Sequence, residues 1–239
     1  LNANHTHKLF FGKYAYRVTI RCPHISGIRY PDSEHIANLF KVESYKEYVQ
    51  SMKYRPSAIV ADIENRRMKR TWESRFLIYK VLTYKEKIAN SGVKFTMRLE
   101  SDTCGFYFNN EEVFNDMCRV FKDSLYDISW PKDLTHLNYL LSNPTNEIVN
   151  NYPHNKYQYR INLRNVIVPK AMREGFKDWV ENYSDLKISE TAIKSIESGG
   201  FNLNGKFLYS TNKEMMLLLQ MYLGDAIKSI TEFKLEKEI

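Results

Sequence analysis

Lys13-Tyr14-Ala15-Tyr16-Arg17-Val18-Thr19-Ile20-Arg21 returns later in the chain as Lys156-Tyr157-Gln158-Tyr159-Arg160-Ile161-Asn162-Leu163-Arg164. Five of the nine positions are identical, two more exchange Val for Ile or Ile for Leu, and the offset is 143 residues. Each copy alternates, with Tyr, Tyr, Val/Ile and Ile/Leu on one side and Lys, Arg and Arg on the other. That period of two is the pattern of a strand with one buried face. A pattern that repeats at a fixed distance is the signature of internal duplication.

A second echo lies further along. Tyr107-Phe108-Asn109-Asn110-Glu111-Glu112 opens a helical run ending at Asp123, and Tyr209-Ser210-Thr211-Asn212-Lys213-Glu214 opens one ending at Asp225, at an offset of 102 residues. Asn109 and Thr211 each stand three residues before a Glu, the spacing of a capping box. Val113, Met117, Val120 and Phe121 then recur at helical spacing, as do Met215, Leu219, Tyr222 and Leu223. The offsets differ by 143 − 102 = 41 residues, so the first copy is expected to carry about that much extra chain between its first strand and its central hairpin.

The expected fold class is α+β: a tandem pair of ferredoxin-like (βαββαβ) units, the first with a basic helical insertion. The first unit is placed at 1–135 with the insertion at about 22–92, a linker at 136–155 and the second unit at 156–239. Within the first, strands are expected at 13–21, 93–100, 104–109 and 125–130, and helices at 33–53, 70–90 and 111–123. Within the second, strands are expected at 156–164 and 230–236, helices at 170–183 and 213–225, a short helix over 185–196, and a strand or loop over 200–210. Pro131, Pro144 and Pro153 with surrounding Asn mark the linker.

The 239 residues carry a net charge of +7, unevenly spread. Residues 53–80 hold eight Lys/Arg against three Asp/Glu, whereas 206–239 hold five of each. A local excess of that kind suits a polyanion. The candidate nucleic-acid-binding residues are therefore Lys13, Arg17 and Arg21, their counterparts Lys156, Arg160 and Arg164, and Lys53, Arg55, Arg66, Arg67, Lys69, Arg70 and Arg75 of the insertion. Arginine pairs phosphate through two parallel hydrogen bonds, and Tyr54 and Trp72, interleaved with the cations, are rings on which bases stack. The bland alternative is a solvated face, or ion pairs to neighbouring strands. Gly105-Phe106-Tyr107-Phe108 resembles the aromatic strand of RNA-recognition modules, but the Val-x-aromatic pattern expected after it is absent and core packing is the favoured reading.

Enzyme chemistry finds little support. His5-Thr6-His7 is the spacing of a metal pair but precedes the first predicted strand, and Asp102 has no second carboxylate after that strand, where Arg21-Cys22-Pro23-His24 stands. His24 is the one weak catalytic candidate: with the tandem architecture and Gly199-Gly200-Phe201-Asn202-Leu203-Asn204-Gly205 it resembles the repeat-cleaving CRISPR endoribonucleases, and the resemblance implies a metal-independent general base near a ribose hydroxyl. Cys22, Cys104 and Cys118 have no metal-type spacing and read as reduced thiols of a cytoplasmic protein. No cofactor, metal or membrane partner is expected, the longest apolar run being Met215–Leu219. The first functional reading is binding of single-stranded RNA or DNA. Heavy use of Lys, Asn, Tyr and Ile fits an AT-rich source such as a bacteriophage. The alternative is a non-enzymatic assembly or host-interaction protein of viral structural type, with a protein partner or self-association.

Overall fold

A computed structural model of the chain describes residues 1–23, 66–167, 169–199 and 203–239. The helix expected at 33–53, His24, Lys53, Arg55 and the centre of the glycine run lie outside the described residues. The chain forms two compact units, one of Leu1–Thr6 with Lys13–Trp130 and one of His7–Gly12 with Pro131–Ile239. Each is built on a five-stranded sheet.

In the first unit the strands are β1 (Asn2–His5), β2 (Tyr16–Arg21), β3 (Phe95–Glu100), β4 (Thr103–Phe108) and β5 (Leu125–Trp130), in the order β1-β5-β2-β4-β3. β1 runs parallel to β5, and the other neighbours are antiparallel. Helix α1 (Arg66–Asn90) lies between β2 and β3 in the chain, and α2 (Glu111–Val120) between β4 and β5. Ile78, Val81, Tyr84 and Ile88 line the buried stripe of α1. They join Val18, Ile20, Cys104, Phe106, Phe108, Met117 and Phe121 in the first unit's interior. Full burial of each such aliphatic side chain is worth about 1.5–3 kcal/mol.

The second unit begins its own run with α3 (Leu134–Ser142) and β6 (Glu147–Val149). Next come β7 (Tyr159–Leu163), α4 (Lys170–Arg173), α5 (Phe176–Glu181), β8 (Leu186–Ile188) and α6 (Glu190–Glu197). β9 (Phe207–Ser210), α7 (Glu214–Leu223) and β10 (Ile227–Leu235) complete it. Its sheet order is β6-β10-β7-β9-β8, again with one parallel edge pair and antiparallel neighbours elsewhere. Ile161, Leu163, Phe176, Ile196, Leu203, Leu208, Leu219 and Leu223 form its core.

Strand register tests the duplication, because a slip of one residue would exchange the two faces of a strand. Arg17 pairs with Tyr107 and Arg160 with Tyr209, while Val18 pairs with Ile128 and Ile161 with Ile230, so both offsets hold together. Even the irregularity repeats. The pairing jumps from Thr19↔Asp127 to Ile20↔Leu125, and from Asn162↔Ser229 to Leu163↔Ile227, leaving Tyr126 and Lys228 as matching bulge residues. Asn110 accepts a hydrogen bond from Val113 N–H at 2.8 Å, and Asn212 accepts one from Met215 N–H at 3.0 Å.

Several expectations shift. The caps are these asparagines rather than Asn109 and Thr211, because both side chains are engaged elsewhere. Asn109 accepts from Ala15 N–H and donates to Lys13 C=O, each at 2.7 Å, whereas the Thr211 hydroxyl donates to Asp185 at 2.8 Å. The expected 41 extra residues are a net figure. Phe95 pairs with Phe108 and Leu186 with Ser210, an offset of 91, so the first unit has 143 − 91 = 52 extra residues before β3 and the second has 102 − 91 = 11 extra between β8 and β9. The latter carry α6, which buries Ala192, Ile193 and Ile196. The stretch 136–155 is more than a linker: α3 and β6 occupy half of it, and β6 pairs with β10. The helix expected at 170–183 is two short helices, broken at Gly175, whose φ of 80° is left-handed. β1 has no counterpart among the expected strands.

Candidate nucleic-acid interface

Side chains on the sheet face opposite each core decide what that face can bind. In the first unit Thr96, Tyr107, Arg17 and Ser129 form a row across four strands. Arg17 is ion-paired to Asp127 and donates to the Ser129 hydroxyl at 3.1 Å. Arg98 pairs with Glu100 at 2.7 Å. The Tyr107 ring folds back over Gly105, where a Cβ would meet its hydroxyl at 3.0 Å. Burial pushes that hydroxyl's pKa up, and Arg17 pulls it down to a lesser extent. Thr96 donates to the Tyr14 hydroxyl at 3.1 Å. These ion pairs leave the face with little surplus charge.

The equivalent row in the second unit is Lys187, Tyr209, Arg160 and Thr231. Here the face is aromatic. Tyr157 stacks on Tyr209 at 5.8 Å between ring centroids, Phe207 meets Tyr209 edge-on at 5.2 Å, and Phe233 lies 6.3 Å from Tyr209. His154 stands edge-on to both Tyr157 (5.9 Å) and Tyr209 (5.6 Å). Phe207, 40% exposed, and His154 are the exposed rings of the group. Cations border it. Lys156 Nζ sits 4.9 Å from the centre of the Tyr157 ring and donates to Ser184 C=O at 2.9 Å, and Lys187 Nζ is 3.3 Å from His154 Nδ1. The backbone that delivers His154 is strained: His154 (φ 52°) and Asn155 (φ 61°) are consecutive non-glycine residues in the left-handed region. Such conformations cost about 1–3 kcal/mol each and cluster at functional sites.

The row of three cations expected along each strand is not assembled. β2 starts at Tyr16 and β7 spans Tyr159–Leu163, so Lys13, Lys156 and Arg164 lie beyond the strand ends. Arg17 is held as described, and Arg160 pairs with Glu147 at 2.9 Å while lying 5.4 Å from the Phe233 ring. Arg164 donates to the Asp225 carbonyl at 2.6 Å. Lys13 and Arg21 are exposed. Arg66, Arg67, Lys69, Arg70 and Arg75 belong to α1, at its amino-terminal end, with their side chains outside the described residues. Tyr14 and Tyr157, expected on the core side, lie with the opposite face because regular pairing begins only at Tyr16 and Tyr159.

His154, Lys187 and Phe207 did not stand out in the sequence. Tyr209 was visible there as the repeat of Tyr107, but the repeat gave no sign that rings would gather around it. Phe106 and Phe108 are core residues, and Tyr107 is the aromatic residue of that strand on the opposite face. Among the described residues no group of three His, Cys, Asp or Glu side chains is placed to hold a metal ion. Cys22 and Cys104 are free and buried, and burial raises the Cys22 thiol to about 12. No helix among the described residues is long and apolar enough to cross a membrane. No protein-family model, curated protein or solved structure matches the chain.

Proposed function

We propose that this protein binds single-stranded nucleic acid on tandem ferredoxin-like units, with the second sheet as the base-contacting surface. The ferredoxin-like reading rests on four contiguous strands of each sheet. β5-β2-β4-β3 and β10-β7-β9-β8 both follow the order fourth, first, third, second, all antiparallel, with helical crossovers. β1 and β6 are additions at the edges.

The observation that carries the functional reading is the ring cluster Phe207, Tyr209, Tyr157 and His154 bordered by Lys156 and Lys187. Unpaired bases offer faces to an exposed ring, and stacking is worth about 1–3 kcal/mol per base irrespective of sequence. Lysines at the border meet the phosphates. Duplexes hide their base faces, so a ring on an open sheet selects unpaired strands. The basic run 66–75 extends the cationic character to the first unit.

Titration of a labelled single-stranded oligonucleotide at two salt concentrations tests the reading. Affinity is expected to fall steeply with salt, and Phe207→Ala to weaken binding about 10-fold or more at either concentration. Absence of binding at low salt, or equal affinity for duplex and single strand, overturns it.

A further inference from the structure

Helix α7 buries Met215, Met216, Leu219 and Leu223 and turns Leu217 (67% exposed), Leu218 (38%) and Met221 (73%) outward. Single exposed apolar residues are ordinary, but three contiguous ones on a helix form a patch that calls for a partner. The internal repeat shows the same helix face with polar side chains. At the offset of 102, Leu217 corresponds to Asn115, Leu218 to Asp116 and Met221 to Arg119. In the first unit Asp116 is reached from α1 by the Tyr84 hydroxyl at 2.6 Å and Lys87 at 2.7 Å, whereas Asn115 and Arg119 are exposed and polar.

The second unit has only the four-residue α4 and six-residue α5 between β7 and β8. α5 packs on the neighbouring side of α7, where Trp179 stacks on Tyr222 at 4.4 Å. The α1 contact made at Asp116 therefore has no helical counterpart over Leu218 among the described residues of the second unit. The chemistry of the exposed face has also changed, from Asn115, Asp116 and Arg119 to Leu217, Leu218 and Met221.

We infer that this face binds α7 of a second copy of the chain, the two helices antiparallel about a twofold axis. The charges at the helix ends are self-complementary. Lys213 and Glu214 stand at the amino-terminal end, and Asp225, 3.7 Å from Arg164, follows the carboxy-terminal end. A register centred on Leu219 sets Leu217 against Met221 of the mate and Lys213 against Asp225. Antiparallel packing also opposes the helix dipoles favourably, whereas parallel packing sets Lys213 against Lys213. The patch is far smaller than the roughly 800 Å² per partner of a stable complex, so the dimer is weak.

Sedimentation of the full chain without nucleic acid, across micromolar to submillimolar protein, tests this. The weight-average mass is expected to climb toward that of a dimer. Leu217→Glu with Met221→Glu is expected to hold it at the monomer value, with an unchanged circular dichroism spectrum. Lys213→Glu is expected to weaken association several-fold, and adding Asp225→Lys to restore it. A monomer at every concentration, or a dimer indifferent to the glutamate pair, overturns the inference. So does an association weakened by Lys213→Glu that the charge swap does not restore.

Discussion

Asp116 shows most plainly how one residue ties two elements together. Its carboxylate accepts hydrogen bonds from Tyr84, Lys87 and Arg119, and the Lys87 contact does most to hold its pKa well below the usual carboxylate range. A depressed folded-state pKa means that the stabilisation is present above the unfolded value of about 4 and is lost as pH falls through the folded one. Asp116→Asn is therefore expected to lower stability at neutral pH and to flatten its decline below about pH 4, as read by urea denaturation across pH. The Arg17–Asp127 pair makes a parallel case on the opposite sheet face. Asp127→Ala leaves a half-buried guanidinium without its carboxylate, and an expected loss of about 1–3 kcal/mol is measurable by chemical denaturation. Conversion of only one partner is the damaging step, because the other charge stays desolvated.

Elements preserve the repeat where backbone pairing dictates it and diverge where loops allow it. The bulges at Tyr126 and Lys228 and the caps at Asn110 and Asn212 are held in common. Each cap is expected to contribute about 1 kcal/mol, so Asn110→Ala and Asn212→Ala should cause losses of similar size in thermal melts. The connections differ: α1 spans 25 residues in the first unit, while α6 is peculiar to the second. The α6 insertion is structural, since Ile196 is fully buried in the core. Ile196→Ala is expected to cost about 2–5 kcal/mol despite lying in the extra segment, and calorimetry would show it. The strands were legible in the sequence because alternation of Val, Ile and Tyr with charged residues has a period that only a half-buried strand satisfies. β1 was not legible, because Asn2-Ala3-Asn4-His5 lacks any apolar alternation and its pairing with β5 comes from distant chain. The break at Gly175 was equally hidden inside an otherwise helical composition.

At the scale of the whole molecule, the repeat decides the architecture and its divergence points to function. The first sheet's outer face carries the ion pairs Arg17–Asp127 and Arg98–Glu100, and the second's is a ring cluster edged by lysine. Charge counting along the chain anticipated cations at Arg17 and Arg160 but not their partners, Asp127 and Glu147, which arrive from other strands. Tertiary pairing of that kind leaves no local trace in a sequence. The second unit also depends on chain from the amino-terminal region: Leu9 is buried, and His7 C=O accepts from Ile148 N–H at 2.7 Å. A fragment beginning at Pro131 is expected to melt below the same fragment supplied with residues 7–12, by an amount matching the loss of one buried leucine, about 2–5 kcal/mol.

Photo-crosslinking of a bound single-stranded oligonucleotide, followed by peptide mapping, addresses the ring cluster most directly. Crosslinks are expected on the peptide that carries Phe207 and Tyr209, and they should disappear from it in Phe207→Ala. An oligonucleotide that binds yet crosslinks only outside that peptide would contradict the placement of the interface on the second sheet.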